Sequence, residues 1–358
     1  MSIREIAKKA GVSTATVSRV INDPQYITKD PKVRERVLRL AREMNYVPNE
    51  AARNLKMNRG GVDKVYFVNI LVTRTESGGV DPFFSELIHF VESEIHKNNC
   101  MLSNIWYHSF FSDDQKCETE NIGVRIEKMY ENQSKTDGLI IIGKCNERAL
   151  ELLKGYCREI VSINRNSTNY AVDEVNCDGE KIAAMAVNYL ISLGHRQIAY
   201  VGGCQNEARF WGYQHALQEH GIAMDESLVV ETRQSANRGY EIMEHIMKGK
   251  KLPTAIYCAN DIIAVGMLKY LQLQGKHFPH PSIISSDDIN AAQLTKPMLT
   301  TVHLPKEDMA KCAIWLLLDR LRGGHKAVIQ MDIRCQLMVR SSCQPPDAED
   351  FTSGIPLY

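Results

Sequence analysis

"IREIAKKAGVSTATVSRVIND", residues 3–23, is the stretch on which the reading of this chain turns. Ile3, Ile6, Ala7 and Ala10 recur at the i, i+3, i+4, i+7 spacing of one helical face. Gly11 follows, and glycine enters the left-handed conformation of a helix C-cap without steric cost. Ser13 then stands where an N-cap hydroxyl accepts from free backbone N–H groups, and Val17, Val20 and Ile21 form the next apolar stripe. Two short helices meeting at so tight a turn leave Ser13, Thr14, Ala15, Thr16, Ser18 and Asn22 as small or hydrogen-bonding positions around a single guanidinium, Arg19.

A third helix is expected from Asp30-Pro31, a capping carboxylate followed by proline at the first helical position, with Val33, Val37, Leu40, Ala41 and Met44 on its apolar face. Its other faces carry Arg34, Arg36, Arg39 and Arg42. The chain as a whole balances 43 Lys+Arg against 43 Asp+Glu, yet residues 1–61 hold 13 basic against 6 acidic side chains. A basic module on an acidic body points to a polyanion partner for the first part only. Next comes "NYVPNEAARNLK", residues 45–56, about two turns of helix formers behind Pro48 and a cap at Asn49. A helix that short is marginal in water and needs a partner to fold. "MNRGG" then reads as a linker.

From Val65 the pattern changes. Apolar strand candidates at 65–72, 100–106, 138–143, 159–164, 197–203, 227–232, 255–260 and 282–286 alternate with helical stretches such as "EKIAAMAVNYLISLGH". Strand and helix repeating every 25–35 residues predicts an α/β architecture of two doubly wound parallel sheets. In such sheets ligands bind outside the carboxyl ends of the strands, which directs attention to Asn164 and Arg165, Asn260 and Asp261, and Asp287 and Asp288. Each of these also reads as a helix cap or turn residue.

At 358 residues, 44% hydrophobic and 24% charged, the composition is that of a globular protein of two or three units. The N-terminus lacks the apolar core of a signal peptide, and the longest apolar runs, such as "AIWLLL" at 313–318, are too short for a membrane span. Ten cysteines are scattered singly from Cys100 to Cys343 with no Cys-x-x-Cys pair and no zinc spacing, as expected of buried thiols in a reducing compartment. A cytoplasmic protein without cofactor, metal or membrane partner is expected.

These motifs together resemble the lactose-repressor (LacI/GalR) family of bacterial transcription regulators over roughly residues 2–342. "IREIAKKAGVSTATVSRVIND" is similar to the family's helix-turn-helix and "NYVPNEAARNL" to its hinge. "ISLGHRQIAYVGG", "ARFWGYQHAL", "AIYCANDIIAVGMLKYL" and "PMLTTVHLP" resemble successive landmarks of its periplasmic-binding-protein-like core. "DPFF" (81–84), "DGLIIIGK" (137–144) and "SDDINAAQLTKPMLTTV" (286–302) look most like the branch that represses β-galactosidase genes.

The resemblance implies an all-α helix-turn-helix domain at 1–47, a hinge and linker at 48–61, an effector-binding and dimerisation core at 62–342, and a tail at 343–358. Within the core it implies an N-subdomain of about 62–174 and 304–326 and a C-subdomain of about 175–303 and 327–342, with crossovers near 175, 303 and 326. It further implies that the helix starting at Thr14 enters the major groove, Thr14, Ala15 and Arg19 reading bases while Ser13, Thr16, Ser18 and Asn22 hold phosphates. Leu55 of a hinge helix that orders on DNA would wedge into a minor-groove base step, with Asn49, Ala52 and Arg53 alongside. The partner is then a pseudo-palindromic double-stranded operator bound by a homodimer, and the tail, lacking leucine heptads, adds no tetramer.

For the core, the resemblance places a small carbohydrate, a galactoside or other glycoside, in the cleft. Arg209 of the Arg-x-x-Gly-aromatic pattern, Asn260 and Asp287 would meet its hydroxyls, and Phe83 and Phe84 would stack on it. Two features depart from the family pattern. Asn164 stands where several members have an acid, and the turn from Pro24 to Lys29 is about two residues longer than in the lactose repressor. A corepressor such as a purine or a phosphoprotein fits the same architecture. A sugar-processing enzyme fused to a DNA-binding module is the remaining alternative, and the Gly-Gly pairs at 60, 78, 202 and 323 match no phosphate-cradling pattern.

Overall fold

The computed structural model describes residues 3–22, 26, 28, 30–43, 64–74, 81–131, 136–164, 168, 171–249, 252–275 and 281–346. The expected hinge with Asn49, Ala52, Arg53 and Leu55 lies outside the described residues, as do Arg165 and the tail beyond residue 346. The chain divides into two compact units, Met1–Val65 and Tyr66–Tyr358.

In the first unit α1 (Ile3–Ala10), α2 (Thr14–Asn22) and α3 (Pro31–Glu43) enclose a small core of Ile6, Ala7, Ala10, Val17, Val20 and Val37. Gly11 has φ +67°, and the Val12 N–H donates back to the Ala7 carbonyl at 3.1 Å, closing the end of α1. Asp30 accepts from the Lys32 N–H at 3.0 Å and so caps α3.

The second unit holds two six-stranded sheets. The first contains β1 (Phe67–Val72), β2 (Met101–Tyr107), β3 (Thr136–Ile142), β4 (Cys157–Asn164) and β5 (Asp173–Asn176), in the order β5-β4-β3-β1-β2. The second contains β6 (Ile198–Gly202), β7 (Val229–Glu231), β8 (Ala255–Cys258), β9 (Ser282–Asp287) and β10 (Thr300–His303), in the order β10-β9-β8-β6-β7. All these pairings are parallel, as expected for strands that are apolar on both faces and joined by helices. Beyond β1, the first sheet is served by α4 (Pro82–Lys97), α5 (Asp114–Thr119), α6 (Ile122–Tyr130) and α7 (Glu147–Leu153). The second is served by α8 (Gly179–Ser192), α9 (Ala208–Glu219), α10 (Ala236–Met247) and α11 (Asp261–Gln274).

The chain changes sheets three times. After β5 it passes into α8 and β6, and after β10 it returns as α12 (Lys306–Leu321), which packs on α4, β4 and β5. The third change corrects the expectation of a crossover near residue 326. β11 (Gln330–Asp332) still pairs in parallel with β5 of the first sheet, while β12 (Gln336–Met338) pairs antiparallel with β10 of the second. The crossing therefore lies at 333–335, and residues 327–332 belong with the first sheet. "VIQMDIRCQLM" reads as one extended run, and only pairing divides it.

One polar cluster ties α12 to β5. Asp173, fully buried, accepts from Arg320 Nε and NH2 at 2.6 Å each, from His325 Nε2 at 2.7 Å and from the Ile329 N–H at 2.8 Å. His325 Nδ1 in turn lies 2.6 Å from Asp319 Oδ2. Because both ring nitrogens face carboxylates, which only accept, the imidazole is held doubly protonated. Burial opposes that charge and the two carboxylates outweigh it, raising the His325 pKa.

Candidate functional site

The first unit presents α2 outward. Val17 and Val20 are buried, whereas Ser13, Thr14, Ala15 and Arg19 are exposed and Thr16 and Ser18 are half-buried. The helical period does this: residues 14, 15 and 19 fall opposite 17 and 20. Ser13 Oγ accepts from the Thr16 N–H at 3.1 Å and lies 2.9 Å from Thr16 Oγ1, so the cap and the outward hydroxyl row are the same residues. The Arg19 guanidinium lies 5.7 Å from the centroid of the Tyr26 ring, whose carbonyl takes a bond from Arg34 NH1 at 2.8 Å. Asn22 ends α2, and its side chain is outside the described residues. A helix N-terminus carrying free N–H groups, short hydroxyls and a stacked arginine is built to meet phosphates and base edges.

In the second unit a cleft opens between the two sheets, at the carboxyl ends of their strands. Phe83, Phe84, Leu87, Ile142 and Ile163 wall it from the first sheet's side, Met309 comes from α12, and Arg209, Glu207 and Gln234 come from the second sheet's side. Of the residues expected in the site, Arg209, Phe83, Phe84 and Asn164 line this one cavity. Phe83 and Phe84 are also core residues, 3% and 7% exposed, packed edge to face with centroids 5.3 Å apart. Asp81 caps their helix by accepting from the Phe83 N–H at 2.9 Å, and Pro82 opens it, which fixes both rings at the cleft wall.

Arg209 is 2% exposed. Its Nε donates to Glu207 Oε1 at 2.9 Å and its NH1 to the Ala259 carbonyl at 2.5 Å. Burial works against the guanidinium's charge, and the carboxylates of Glu207 and Asp287 outweigh it and raise its pKa. Asn260 and Asp287 are buried but do not line the cavity. Asn260 Oδ1 caps α11 through the Ile263 N–H at 3.2 Å, leaving its buried Nδ2 without a hydrogen-bond partner among the described residues. Asp287 sits at the end of β9 with φ +133°, a conformation that favours glycine and is found where surrounding structure over-determines the backbone. Its carbonyl takes a bond from Lys306 Nζ at 3.0 Å.

Eight of the twelve lining residues escaped the sequence reading, among them Arg74, Glu207, Gln234 and Met309. Arg74 lies two residues past β1, where the strand-end rule itself points. Glu207 is two residues before Arg209, at the N-terminal boundary of α9, where an acid reads as a helix-dipole partner. Trp211, two residues beyond Arg209, is 41% exposed. Among the described residues no cluster of His, Cys, Asp and Glu is arranged to hold a metal ion, and no helix is long and apolar enough to cross a membrane. All ten cysteines are free thiols, seven of them buried; burial pushes Cys145 up to about 12.

Comparison with known proteins agrees with this division of labour. Residues 2–49 match the model for bacterial regulatory proteins of the lacI family, and residues 187–343 match a periplasmic binding protein-like domain. The HTH-type transcriptional repressor PurR of Haemophilus influenzae (strain ATCC 51907 / DSM 11121 / KW20 / Rd) is 31% identical over 353 residues, covering 95% of this chain and 98% of that protein. PurR of Pasteurella multocida (strain Pm70) is 29% identical with the same coverage. The lac repressor dimer bound to operator and the anti-inducer ONPF has the same fold, with TM-score 0.73 and 21% identity over 96% of this chain and 99% of that one. A complex of the transcriptional regulator CelR with cellobiose gives 0.66 and 24% over 96% and 100%. The expected galactoside branch is not what the sequence relatives show, because the lac repressor likeness is one of fold alone. The chain belongs to the lacI family of bacterial regulatory proteins, in which it is a DNA-binding transcriptional repressor.

Proposed function

We propose that this repressor binds a pseudo-palindromic operator as a homodimer in the bacterial cytoplasm and that a small molecule in the cleft sets its affinity for that operator. The observation that carries the reading is Arg209, a guanidinium buried to 2% exposure at the wall of a cavity that both sheets share. A ligand touching both sides discriminates between their arrangements and so couples to DNA binding, typically by about 1–3 kcal/mol. On DNA, Thr14, Ala15 and Arg19 read bases, Ser13, Thr16, Ser18 and Asn22 hold phosphates, and the hinge with Asn49, Ala52, Arg53 and Leu55 enters the minor groove.

For the effector, the PurR relatives put a purine corepressor ahead of the galactoside expected from the sequence. The lining suits a flat heterocycle: Phe84, Leu87, Ile163 and Met309 offer apolar walls, while Asn164, Gln234 and Arg209 offer hydrogen-bonding edges. A carbohydrate is the second reading, favoured by the fold shared with the CelR–cellobiose complex.

The test pairs a thermal-shift screen with a gel shift on operator selected from random-sequence DNA. Hypoxanthine or guanine is expected to raise Tm and tighten operator binding; a ligand at a hundred times its Kd stabilises by about 2.7 kcal/mol. A shift with cellobiose or galactosides instead selects the second reading. No shift with any of them removes the cleft as an effector site.

A further inference from the structure

The charged side chains on the cleft wall form one connected set. Arg74, just past β1, and Arg209, on α9, reach Glu207 from opposite sides: Arg74 NH2 stands 3.7 Å from Glu207 Oε2, and Arg209 Nε 2.9 Å from Oε1. Glu207 is thus a carboxylate shared by the two halves of the core. Asp287, 3% exposed, supplies a second acid close enough to raise the Arg209 pKa. At the neighbouring rim Lys306, 5% exposed, pairs with Glu86 at 3.0 Å. Arg74 reaches its place over the end of β3 because residue 143 is glycine, with φ +105°. A Cβ there would stand 2.7 Å from Thr73 Oγ1 and 2.9 Å from Arg74 Cγ.

We infer that Glu207, held by Arg74 on one side and Arg209 on the other, makes the cleft select uncharged ligands and exclude their phosphorylated forms. A neutral molecule exchanges hydrogen bonds with groups that keep their own counter-charges. A phosphate would enter a cleft in which both guanidiniums already face the Glu207 carboxylate, and it would meet that carboxylate itself. An uncompensated buried charge is strongly disfavoured. Replacing the carboxylate by its amide removes one negative charge and leaves Arg74 and Arg209 to receive an anion, while Gln Oε1 still accepts from Arg209 Nε. This inference rests on the reading of the cleft as the effector site.

The experiment compares the full-length wild type with Glu207→Gln and Arg74→Gln by thermal shift and calorimetry. Matched pairs are titrated: hypoxanthine and inosine 5′-monophosphate, galactose and galactose 1-phosphate, and inorganic phosphate alone at constant ionic strength. In the wild type only uncharged members are expected to bind. Glu207→Gln is expected to bind inorganic phosphate at least tenfold more tightly than wild type, and Arg74→Gln to show no such gain.

Binding of a phosphorylated member by the wild type, abolished by Arg209→Ala, overturns the inference and leaves the effector cleft standing. Failure of a folded Glu207→Gln, with wild-type circular dichroism, to gain phosphate affinity also overturns it. Absence of binding by every uncharged member removes the effector cleft itself and the inference with it.

Discussion

Gly212→Ala probes whether the Arg-x-x-Gly-aromatic pattern is about ligand or about packing. Gly212 lies on α9 where that helix crosses α8, and a Cβ built on it would stand 2.3 Å from the Glu180 carbonyl oxygen and 2.7 Å from its Cα. Both atoms are backbone and neither turns aside. Restoring ordinary van der Waals contact requires α9 to retreat from α8 by about 1 Å. Replacing glycine by alanine in a helix would on its own stabilise by about 1 kcal/mol, and forced overpacking typically costs about 1–3 kcal/mol. Backbone against backbone falls at the upper end, so a net loss of about 1–2 kcal/mol is expected. Arg209 lies one turn before Gly212 and is bonded to the Ala259 carbonyl at 2.5 Å, so the same retreat pulls its guanidinium from the strand end. Urea unfolding of the wild type and the variant, followed by circular dichroism, gives the first quantity, and titration with the best ligand from the thermal-shift screen gives the second. Equal or greater stability with unchanged ligand affinity would refute the packing argument.

The Asp173 cluster predicts a pH dependence. The pKa of His325 is raised in the fold, so its contribution is complete below the unfolded value of about 6.5 and is lost as pH rises through the folded value. The stability of His325→Gln should lack that decline on the alkaline side of about 6.5, and an identical decline in the variant would exclude His325 as its source. Asp173 behaves oppositely: burial pushes its carboxyl up, but Arg320, the Ile329 N–H and His325 hold it below its ordinary value, so its contribution is present above about 3.9 and lost below. Asp173→Ala leaves Arg320 and His325 without their shared acceptor and should destabilise the core by about 3–5 kcal/mol in urea. On DNA, Arg19→Ala should weaken operator binding by about 1–3 kcal/mol and relax one base preference, read in a gel shift against single-base operator variants. Leu55→Ala should lose operator bending in a circular-permutation gel assay, and unchanged bending would count against the hinge reading.

Much of the architecture was legible because it rests on local periodicity. The i, i+3, i+4, i+7 spacing of Ile3, Ile6, Ala7 and Ala10, the stop at Gly11 and the cap at Ser13 specify a tight helix-turn-helix with no help from distant residues. The long apolar strands β1, β3, β4 and β9 were visible for the same reason. What was not visible was short and dependent on partners. β5, β11 and β12 have four, three and three residues, too few to show a period, and become strands only by pairing. The third crossover was misplaced on that account.

The cleft divides in the same way. Arg209, Phe83, Phe84 and Asn164 could be named from motifs at strand ends and helix starts, and they line one cavity. Arg74 and Glu207 are 133 residues apart in the chain, in segments with no motif in common, and sit on opposite halves of the core. By itself the sequence determined which segments are helices and long strands, which surface is basic and which side chains face outward on α2, since these follow from neighbours a few residues apart. Where the chain crosses between sheets, which carboxylate Arg209 holds and how the cleft's charges pair follow from packing in three dimensions. Ion pairs and sheet pairing are set by distance in space, and the order of residues along the chain does not contain that distance.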